Sequence, residues 1–328
     1  MTYCKISLKQ VPTGAKNPGY QDMAFKTLFG TMKVKPVLPF SRSEFKQDSV
    51  KYTKGISISG VQQKLSLKID QHYQLVPVTE GGEYILKPTP EEFVNAAENE
   101  HAAMVTSKLL GIETALCGLV SFTDGELVYI TKRFDRLDDG TKLHQEDLLQ
   151  GFEASSEGKY DRSYEAAGSL ILEMTSGKKA VVADYLKRVM HAYLIGSNDM
   201  HLKNISLQRD VDNFSPFYDR LTPNYDSLFA DAFDNMDHDG FLALDLLEGD
   251  FSDHYQLYGF YTGYDFIELG KRLDVPEIVV RKIALDFSRR ESAIVDTISK
   301  SYMPDDMKER ATGLIQGRMR AIQTGITG

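Results

Sequence analysis

Cysteine is scarce in this sequence: Cys4 and Cys117 are the only two in 328 residues. Two scattered thiols build neither a disulfide framework nor a zinc site. They read as reduced intracellular cysteines, with Cys117 in or near a core strand. Long apolar runs are missing as well. With no stretch of about 18 apolar residues, no membrane span is expected. The opening MTYCKISLKQ lacks the basic-then-apolar design of a signal peptide, so the expected compartment is the cytoplasm. A basic surplus is absent: 38 Lys+Arg stand against 47 Asp+Glu, a net charge of -9. That excludes nucleic-acid binding by overall charge, because neutralising phosphates takes a basic face. Repeats and low-complexity tracts are also lacking. What remains, 42% hydrophobic and 26% charged residues, is ordinary globular composition. The length suits two domains or one two-lobed enzyme.

Patterning divides the chain. Residues up to about 45 form an irregular lead-in with a short strand at 4–8. Leu65, Leu67 and Ile69 alternate with polar neighbours as a half-buried strand does. Residues 74–78 and 84–87 read as further strands around the turn Glu80-Gly81-Gly82-Glu83. The spacing of Phe93, Ala97, Met104 and Leu109 predicts a helix over 91–110, stopped by Gly111. Asp124-Gly125 marks the turn of a hairpin joining 118–122 to 127–134. Beyond Phe134 the periodicity is helical, over 164–174, 181–196, 275–300 and 305–324. A polar loop, 198–226, interrupts it and carries a short strand at 205–208. The expected class is therefore α+β, with a strand-rich part at 1–133 and a mostly helical part at 134–328. Two unequal lobes with polar loops at their junction suit a cleft enzyme.

The strongest chemical signal is Asn198-Asp199-Met200-His201-Leu202-Lys203-Asn204. Asp199 and Asn204 have the D-x-x-x-x-N spacing of a kinase catalytic loop. A carboxylate orients the attacking hydroxyl and accepts its proton, and an amide oxygen further along holds magnesium. Lys203 between them offsets charge on the transferred phosphoryl group. Taken alone, a capped turn explains the same residues equally well. Asp226, in Asn224-Tyr225-Asp226-Ser227, stands where kinases place a second magnesium carboxylate, although the literal D-F-G is absent. A turn aspartate is the plain alternative. Lys87 ends the strand Tyr84-Ile85-Leu86-Lys87, where a kinase holds nucleotide phosphates; an edge lysine is the alternative. The loop Ser57-Ile58-Ser59-Gly60-Val61-Gln62-Gln63-Lys64 matches neither Walker A nor G-x-G-x-x-G. Its small residues suit a phosphate-covering nest only weakly. The order of these features is that of a protein kinase, so a two-lobed protein-kinase-like fold is expected.

Several motifs resemble those of the HipA-like serine/threonine kinase toxin family. They are the loop at 57–64, the strand lysine at 84–87, Asn99-Glu100-His101, Arg133-Phe134-Asp135-Arg136, His144-Gln145-Glu146-Asp147, the loop at 198–204, and Tyr225-Asp226. The paired serines Ser57 and Ser59 resemble the short HipT form. So does the near-immediate start of the kinase part, as in HipBST-type toxin–antitoxin systems. The resemblance implies ATP and Mg2+ as cofactors and phosphorylation of an aminoacyl-tRNA synthetase, with the tryptophanyl enzyme favoured. It also implies autophosphorylation on Ser57 or Ser59. Implied partners are a HipS-like small protein and a HipB-like DNA-binding antitoxin, with no direct nucleic-acid or membrane binding by this chain. By residue, it implies catalysis by Asp199 and Lys203 and metal binding by Asn204 and Asp226. ATP binding would involve Ser57, Ile58, Ser59, Gly60, Val61, Gln62, Lys64, Lys87, Arg133, Phe134 and His201. The partner of Lys87 is left between Glu98 and Glu100. Rival readings are a small-molecule phosphotransferase and a pseudokinase scaffold in a repressor complex. Ser57-Ile58-Ser59 and Gln145-Glu146-Asp147 argue against the first, and intact Lys87, Asp199, Asn204 and Asp226 against the second.

Overall fold

In the computed structural model, which describes residues 1–45, 64–137, 139–233, 241–249 and 251–326, the alternation at Leu65, Leu67 and Ile69 becomes a strand of an antiparallel sheet. The chain packs as two units. One comprises Met1–Val105, Ala115–Thr141 and Ser299–Pro304; the other comprises Thr106–Thr114, Lys142–Ile298 and Asp305–Gly328. The predicted loop of Ser57, Ile58, Ser59, Gly60, Val61 and Gln62 lies outside the described residues.

The first unit begins with α1 (Asp22–Phe29), followed by β1 (Leu65–Ile69), β2 (Leu75–Pro77) and β3 (Tyr84–Lys87). Helix α2 (Ala96–Leu109) comes next, then the hairpin of β4 (Cys117–Ser121) and β5 (Leu127–Lys132). The strands pair in the order β2-β1-β3-β5-β4, all antiparallel. One face receives α1: Phe25, Leu28 and Phe29 pack with Leu67, Tyr84, Leu86, Val120 and Ile130. The Tyr84 hydroxyl donates to the Leu28 carbonyl at 3.2 Å, which satisfies a polar tip inside an apolar layer. The hairpin turn forms as Asp124-Gly125 predicts, with Gly125 at φ +89°.

The second unit contains β6 (Gln145–Asp147), α3 (Leu148–Gly151), α4 (Tyr164–Met174), α5 (Lys179–Ile195), β7 (Ser206–Gln208) and β8 (Arg220–Leu221). The helices α6 (Asp253–Tyr258), α7 (Gly263–Arg272), α8 (Glu277–Ser288), α9 (Glu291–Ser299) and α10 (Asp305–Gln323) follow. Strands β6, β7 and β8 make a second antiparallel sheet, with Asp147 opposite Ser206. No helix among the described residues is long and apolar enough to cross a membrane.

Four expectations need correction. Residues 4–8 are a turn, not a strand: Leu8 has φ +54° and returns its N–H to the Cys4 carbonyl at 2.9 Å. The helix expected from residue 91 starts at Ala96, leaving Phe93 ahead of it. The span 275–300 is two helices, because Arg290 turns its N–H to the Phe287 carbonyl, three residues back. The Arg290 guanidinium also bonds the Asp286 carbonyl at 3.0 Å. Helix α7 was not expected from periodicity; its N-terminus is set by Asp265, which accepts from the Thr262 N–H at 2.6 Å.

Helix α5 ends in a two-bond cap. The Ser197 N–H reaches the Ala192 carbonyl at 2.9 Å and the Gly196 N–H reaches Tyr193 at 3.1 Å, with Gly196 at φ +63°. These are the bonds of a Schellman motif. A Cβ at Gly196 would lie 2.6 Å from Asp231 Oδ2, and Asp231 is paired with Arg318 at 3.0 Å. Gly196→Ala should therefore cost about 1–2 kcal/mol from the left-handed backbone alone, and more if Asp231 is displaced. Gly313 lies within α10 and has open space around it. Gly313→Ala should stabilise by roughly 0.5–1 kcal/mol. Urea unfolding of both variants checks the opposite signs.

Two histidines are buried in neutral form. Burial pushes the His101 pKa down to about 4. Burial, aided by the Arg188 charge, pushes His191 down to about 3. The folded values lie below the ordinary 6.5, so the unfolded chain takes up these protons first. Stability is then full above pH 6.5 and falls as pH drops from there toward 4 and 3. The expected slope is up to about 1.4 kcal/mol per pH unit for each histidine. Denaturant titrations at several pH values should show a shallower slope for His191→Gln; an unchanged slope would show that His191 is not buried neutral.

Candidate active site

The first unit supplies a buried ion pair. Strand β3 ends on Lys87, and helix α2 presents Glu100 to it, with Nζ and Oε1 2.5 Å apart and both side chains 3% exposed. The Lys87 ammonium also lies 5.3 Å from the centre of the Tyr129 ring on the neighbouring strand β5. Helix geometry settles the choice between the two glutamates. Two residues apart is about 200° around a helix, so Glu98 and Glu100 cannot face the same strand. Burial pushes the Glu98 carboxyl up, and its Oε2 is buried without a hydrogen-bond partner. His101, next to Glu100, uses Nε2 to donate to the Ile6 carbonyl at 3.1 Å, while its Nδ1 is buried without a hydrogen-bond partner. The first turns of α2 thus bury Glu98, Asn99, Glu100 and His101 together. Polar burial of that density is more informative than any apolar contact.

Arg133 follows β5 and grips Asp135 with Nε at 2.8 Å and a terminal nitrogen at 2.6 Å. Burial raises the Asp135 carboxyl, but this fork outweighs burial and holds it below the usual range. The Arg133 N–H is committed to the Glu83 carbonyl at 2.8 Å. Phe134 beside it is half-buried, as is Lys64 at the entrance to β1.

The second unit gathers Asp199, His201, Lys203, Asn204 and Asp226. The capped end of α5 launches the loop, and Tyr164 on α4 steadies it by donating to the Met200 carbonyl at 2.9 Å. The loop then closes on itself. Asn204 Nδ2 donates to the Asp199 carbonyl at 2.7 Å and approaches its carboxylate Oδ2 at 3.3 Å. The Asn204 N–H returns to the His201 carbonyl at 2.9 Å. This arrangement needs a carboxylate and an amide five residues apart, which is the D-x-x-x-x-N spacing. With its nitrogen committed, the Asn204 amide leaves Oδ1 as the acceptor, an assignment set by the hydrogen-bond network.

His201 Nε2 lies 3.6 Å from Asp199 Oδ1, close enough to suggest an ion pair. Its pKa argues otherwise. Burial, with help from the Lys159 and Lys203 charges, takes it to about 4 against the pull of Asp226. The imidazole is therefore neutral near pH 7, and the contact is a polar one rather than a salt bridge. Lys203 Nζ donates to Ser156 Oγ at 3.2 Å.

Asp226 has φ +53°, a left-handed conformation that costs a non-glycine residue about 1–2 kcal/mol. Such strain persists only where the surroundings fix it. Here they do. Asn224 donates to Ser107 Oγ and Ser227 Oγ, both at 3.0 Å. Its N–H reaches the Glu113 carbonyl at 2.7 Å. Arg188, buried and bonded twice to Asp184, donates to the Thr222 carbonyl at 2.6 Å.

The motif Gln145-Glu146-Asp147 borders the same loop. Asp147 caps α3 by accepting the Gln150 N–H at 2.9 Å. Burial pushes its carboxyl up, against that bond and the Lys203 charge. Glu146 accepts from the Tyr218 hydroxyl, which also meets His144 Nε2 at 3.0 Å. The supporting roles of Tyr164, Ser206 and Tyr225 had no signal in sequence spacing.

Comparison with known proteins follows the same lines. Residues 56–294 match the HipA-like C-terminal domain family. A Haemophilus influenzae protein named "Putative kinase" is 33% identical over 325 residues, covering 93% of this chain and 92% of its own length. A Sinorhizobium fredii protein named "Putative kinase Y4dM" is 35% identical over 158 residues, 43% of this chain and 38% of its own. Among solved structures, HipA from the Shewanella oneidensis toxin–antitoxin complex of HipA, HipB and operator DNA superposes with a TM-score of 0.68 at 20% identity. It covers 98% of this chain and 78% of that one. The Helicobacter pylori proinflammatory kinase CtkA superposes with a TM-score of 0.53 at 17% identity, covering 79% and 91%. At these identities the two structures show the fold, which is that of these kinases.

The buried pair yields a stability test. Glu100→Ala removes the carboxylate paired with a buried lysine and should cost roughly 3–5 kcal/mol, as breaking buried pairs typically does. Glu98→Gln removes a buried carboxylate with one unsatisfied oxygen and should be near neutral or stabilising. Urea unfolding of the two variants measures the contrast; equal losses would contradict the assignment of Glu100 as the partner.

Proposed function

The chain belongs to the HipA-like C-terminal domain family, and from that premise we propose that it is an ATP-dependent serine/threonine protein kinase acting as the cytoplasmic toxin of a toxin–antitoxin system. The observation that carries this reading is the closed loop from Asp199 to Asn204, with the strained Asp226 in the same unit. The buried Lys87–Glu100 pair supports the reading independently, since kinases use such a pair on nucleotide phosphates.

In this reading Asp199 orients the acceptor hydroxyl and takes its proton, and Lys203 offsets charge on the transferred phosphoryl group. Lys87 holds the α- and β-phosphates of ATP. Lys64 and the loop of residues 57–62 cover the γ-phosphate. Arg133 and Phe134 serve the adenine end, and His201 acts as a neutral ATP-binding group. Asn204 Oδ1 and the Asp226 carboxylate are the groups for Mg2+. Magnesium characteristically takes one or two protein ligands and completes its shell with phosphate oxygens and water. When bound there, the ion would supply charge neutralisation to the phosphate groups.

The substrate assigned here is an aminoacyl-tRNA synthetase, the tryptophanyl enzyme first, with autophosphorylation on Ser57 or Ser59. Partners in the proposal are a HipB-like DNA-binding antitoxin and a HipS-like small protein. The solved complex of Shewanella oneidensis HipA with HipB and operator DNA supports a partner of the first kind.

Two substitutions test the proposal. Asp199→Asn should leave the fold intact and lower phosphoryl transfer by about two to four orders of magnitude. Transfer is read by mass spectrometry of the protein and the synthetase after incubation with ATP. Asp226→Asn should make nucleotide binding nearly independent of magnesium in calorimetric titration, because an amide lacks the charge. Undiminished transfer in a folded Asp199→Asn variant would remove the catalytic role assigned to Asp199.

A further inference from the structure

Tyr225 is a half-buried residue immediately before Asp226, and neither catalysis nor core packing accounts for where its hydroxyl goes. That hydroxyl donates to the Lys203 carbonyl at 3.0 Å and meets Ser206 Oγ at 2.7 Å, which donates to it in return. The Lys203 carbonyl belongs to the peptide unit whose N–H is that of Asn204. The N–H side is held by the His201 carbonyl at 2.9 Å. The peptide plane entering Asn204 is thus fixed on both sides, by Tyr225 at its oxygen and by His201 at its nitrogen. Ser206 begins β7, whose pairing with β6 sets Ser206 opposite Asp147, so the second partner of the hydroxyl is itself held in a sheet.

On the other side, Tyr225 shares a peptide unit with Asp226. The flanking residues are held at Thr222, Asn224 and Ser227. With those anchors in place, one hydroxyl joins the backbone of Asn204 to the backbone of Asp226. An aromatic ring can carry this bond because it is rigid and has few rotatable bonds.

We propose that Tyr225 is a positioning residue that sets the spacing between the Asn204 amide and the Asp226 carboxylate through its hydroxyl on the Lys203 carbonyl. The inference rests on the reading of those two groups as magnesium ligands given above. It adds a residue that touches neither metal nor nucleotide. Supporting residues of this kind typically affect metal affinity by about 10- to 100-fold.

The test is Tyr225→Phe, which keeps the ring and removes the hydroxyl. Calorimetry of ATP binding is run without divalent ions and across a magnesium series. Binding without divalent ions should match wild type, and the magnesium concentration for half-maximal enhancement should rise about ten-fold. Ser206→Ala removes the second partner of the hydroxyl and should move the same midpoint in the same direction by less. It also serves if Tyr225→Phe fails to fold, which thermal melting reports. A merely structural tyrosine would lower melting temperature and leave the magnesium midpoint unchanged. An unchanged midpoint in folded Tyr225→Phe, or in Ser206→Ala where the former does not fold, overturns the inference if Asp226→Asn has lost magnesium dependence. If Asp226→Asn itself keeps wild-type magnesium dependence, the metal reading has failed and the inference falls with it.

Discussion

Charge taken out of water is the constraint on which this structure depends. An isolated buried ion is too costly to keep, so each must find a partner or neutralise. Lys87 meets Glu100 with both side chains almost fully enclosed. Arg188, on α5, spreads its guanidinium over Asp184 and the Thr222 carbonyl. Arg318 pairs with Asp231 and lies over the Tyr193 and Phe241 rings, 4.5 Å and 4.6 Å from their centres. The Arg188 and Arg318 contacts tie together segments 34 and 87 residues apart. The histidines take the other course and lose their charge. His201 shows both options in one loop, since it stands by a carboxylate yet is kept neutral by burial and two lysines.

The same constraint explains which parts of the chain were legible in its sequence. Strand β3 and helix α4 were read to their ends, because short-range periodicity and local stops fix both. The D-x-x-x-x-N spacing was legible for a similar reason: its hydrogen bonds close within six residues. Asp226 was legible only by order along the chain. Its left-handed backbone depends on Ser107 and Glu113, more than a hundred residues away, and no spacing rule reaches that far.

The misreadings have equally specific causes. Phe287 and Ile294 are buried seven residues apart, on either side of the break between α8 and α9. Seven residues is nearly two helical turns, so the apolar phase runs across the break as though the helix were continuous. Only the tight turn of the Arg290 N–H reveals it. At residues 4–8 the alternation was too short to separate a strand from a turn, and Leu8 in a left-handed conformation decided against the strand. The choice between Glu98 and Glu100 was open because both are acidic and close, and helical phase resolved it once the facing strand was known.

Strain and support can now be weighed at the site. A left-handed aspartate costs about 1–2 kcal/mol, and a hydrogen bond contributes a net of about 0.5–1.5 kcal/mol. One bond barely offsets the strain at Asp226, whereas the bonds at Thr222, Asn224 and Ser227 together exceed it. The Tyr225 bond to the Lys203 carbonyl is therefore not needed to hold Asp226 in its conformation. Its distinctive consequence is relational, because among these bonds it is the one that ends on the peptide of Asn204. Conformation at Asp226 and its link to the Asn204 peptide are separate features, and in this chain separate hydrogen bonds provide them.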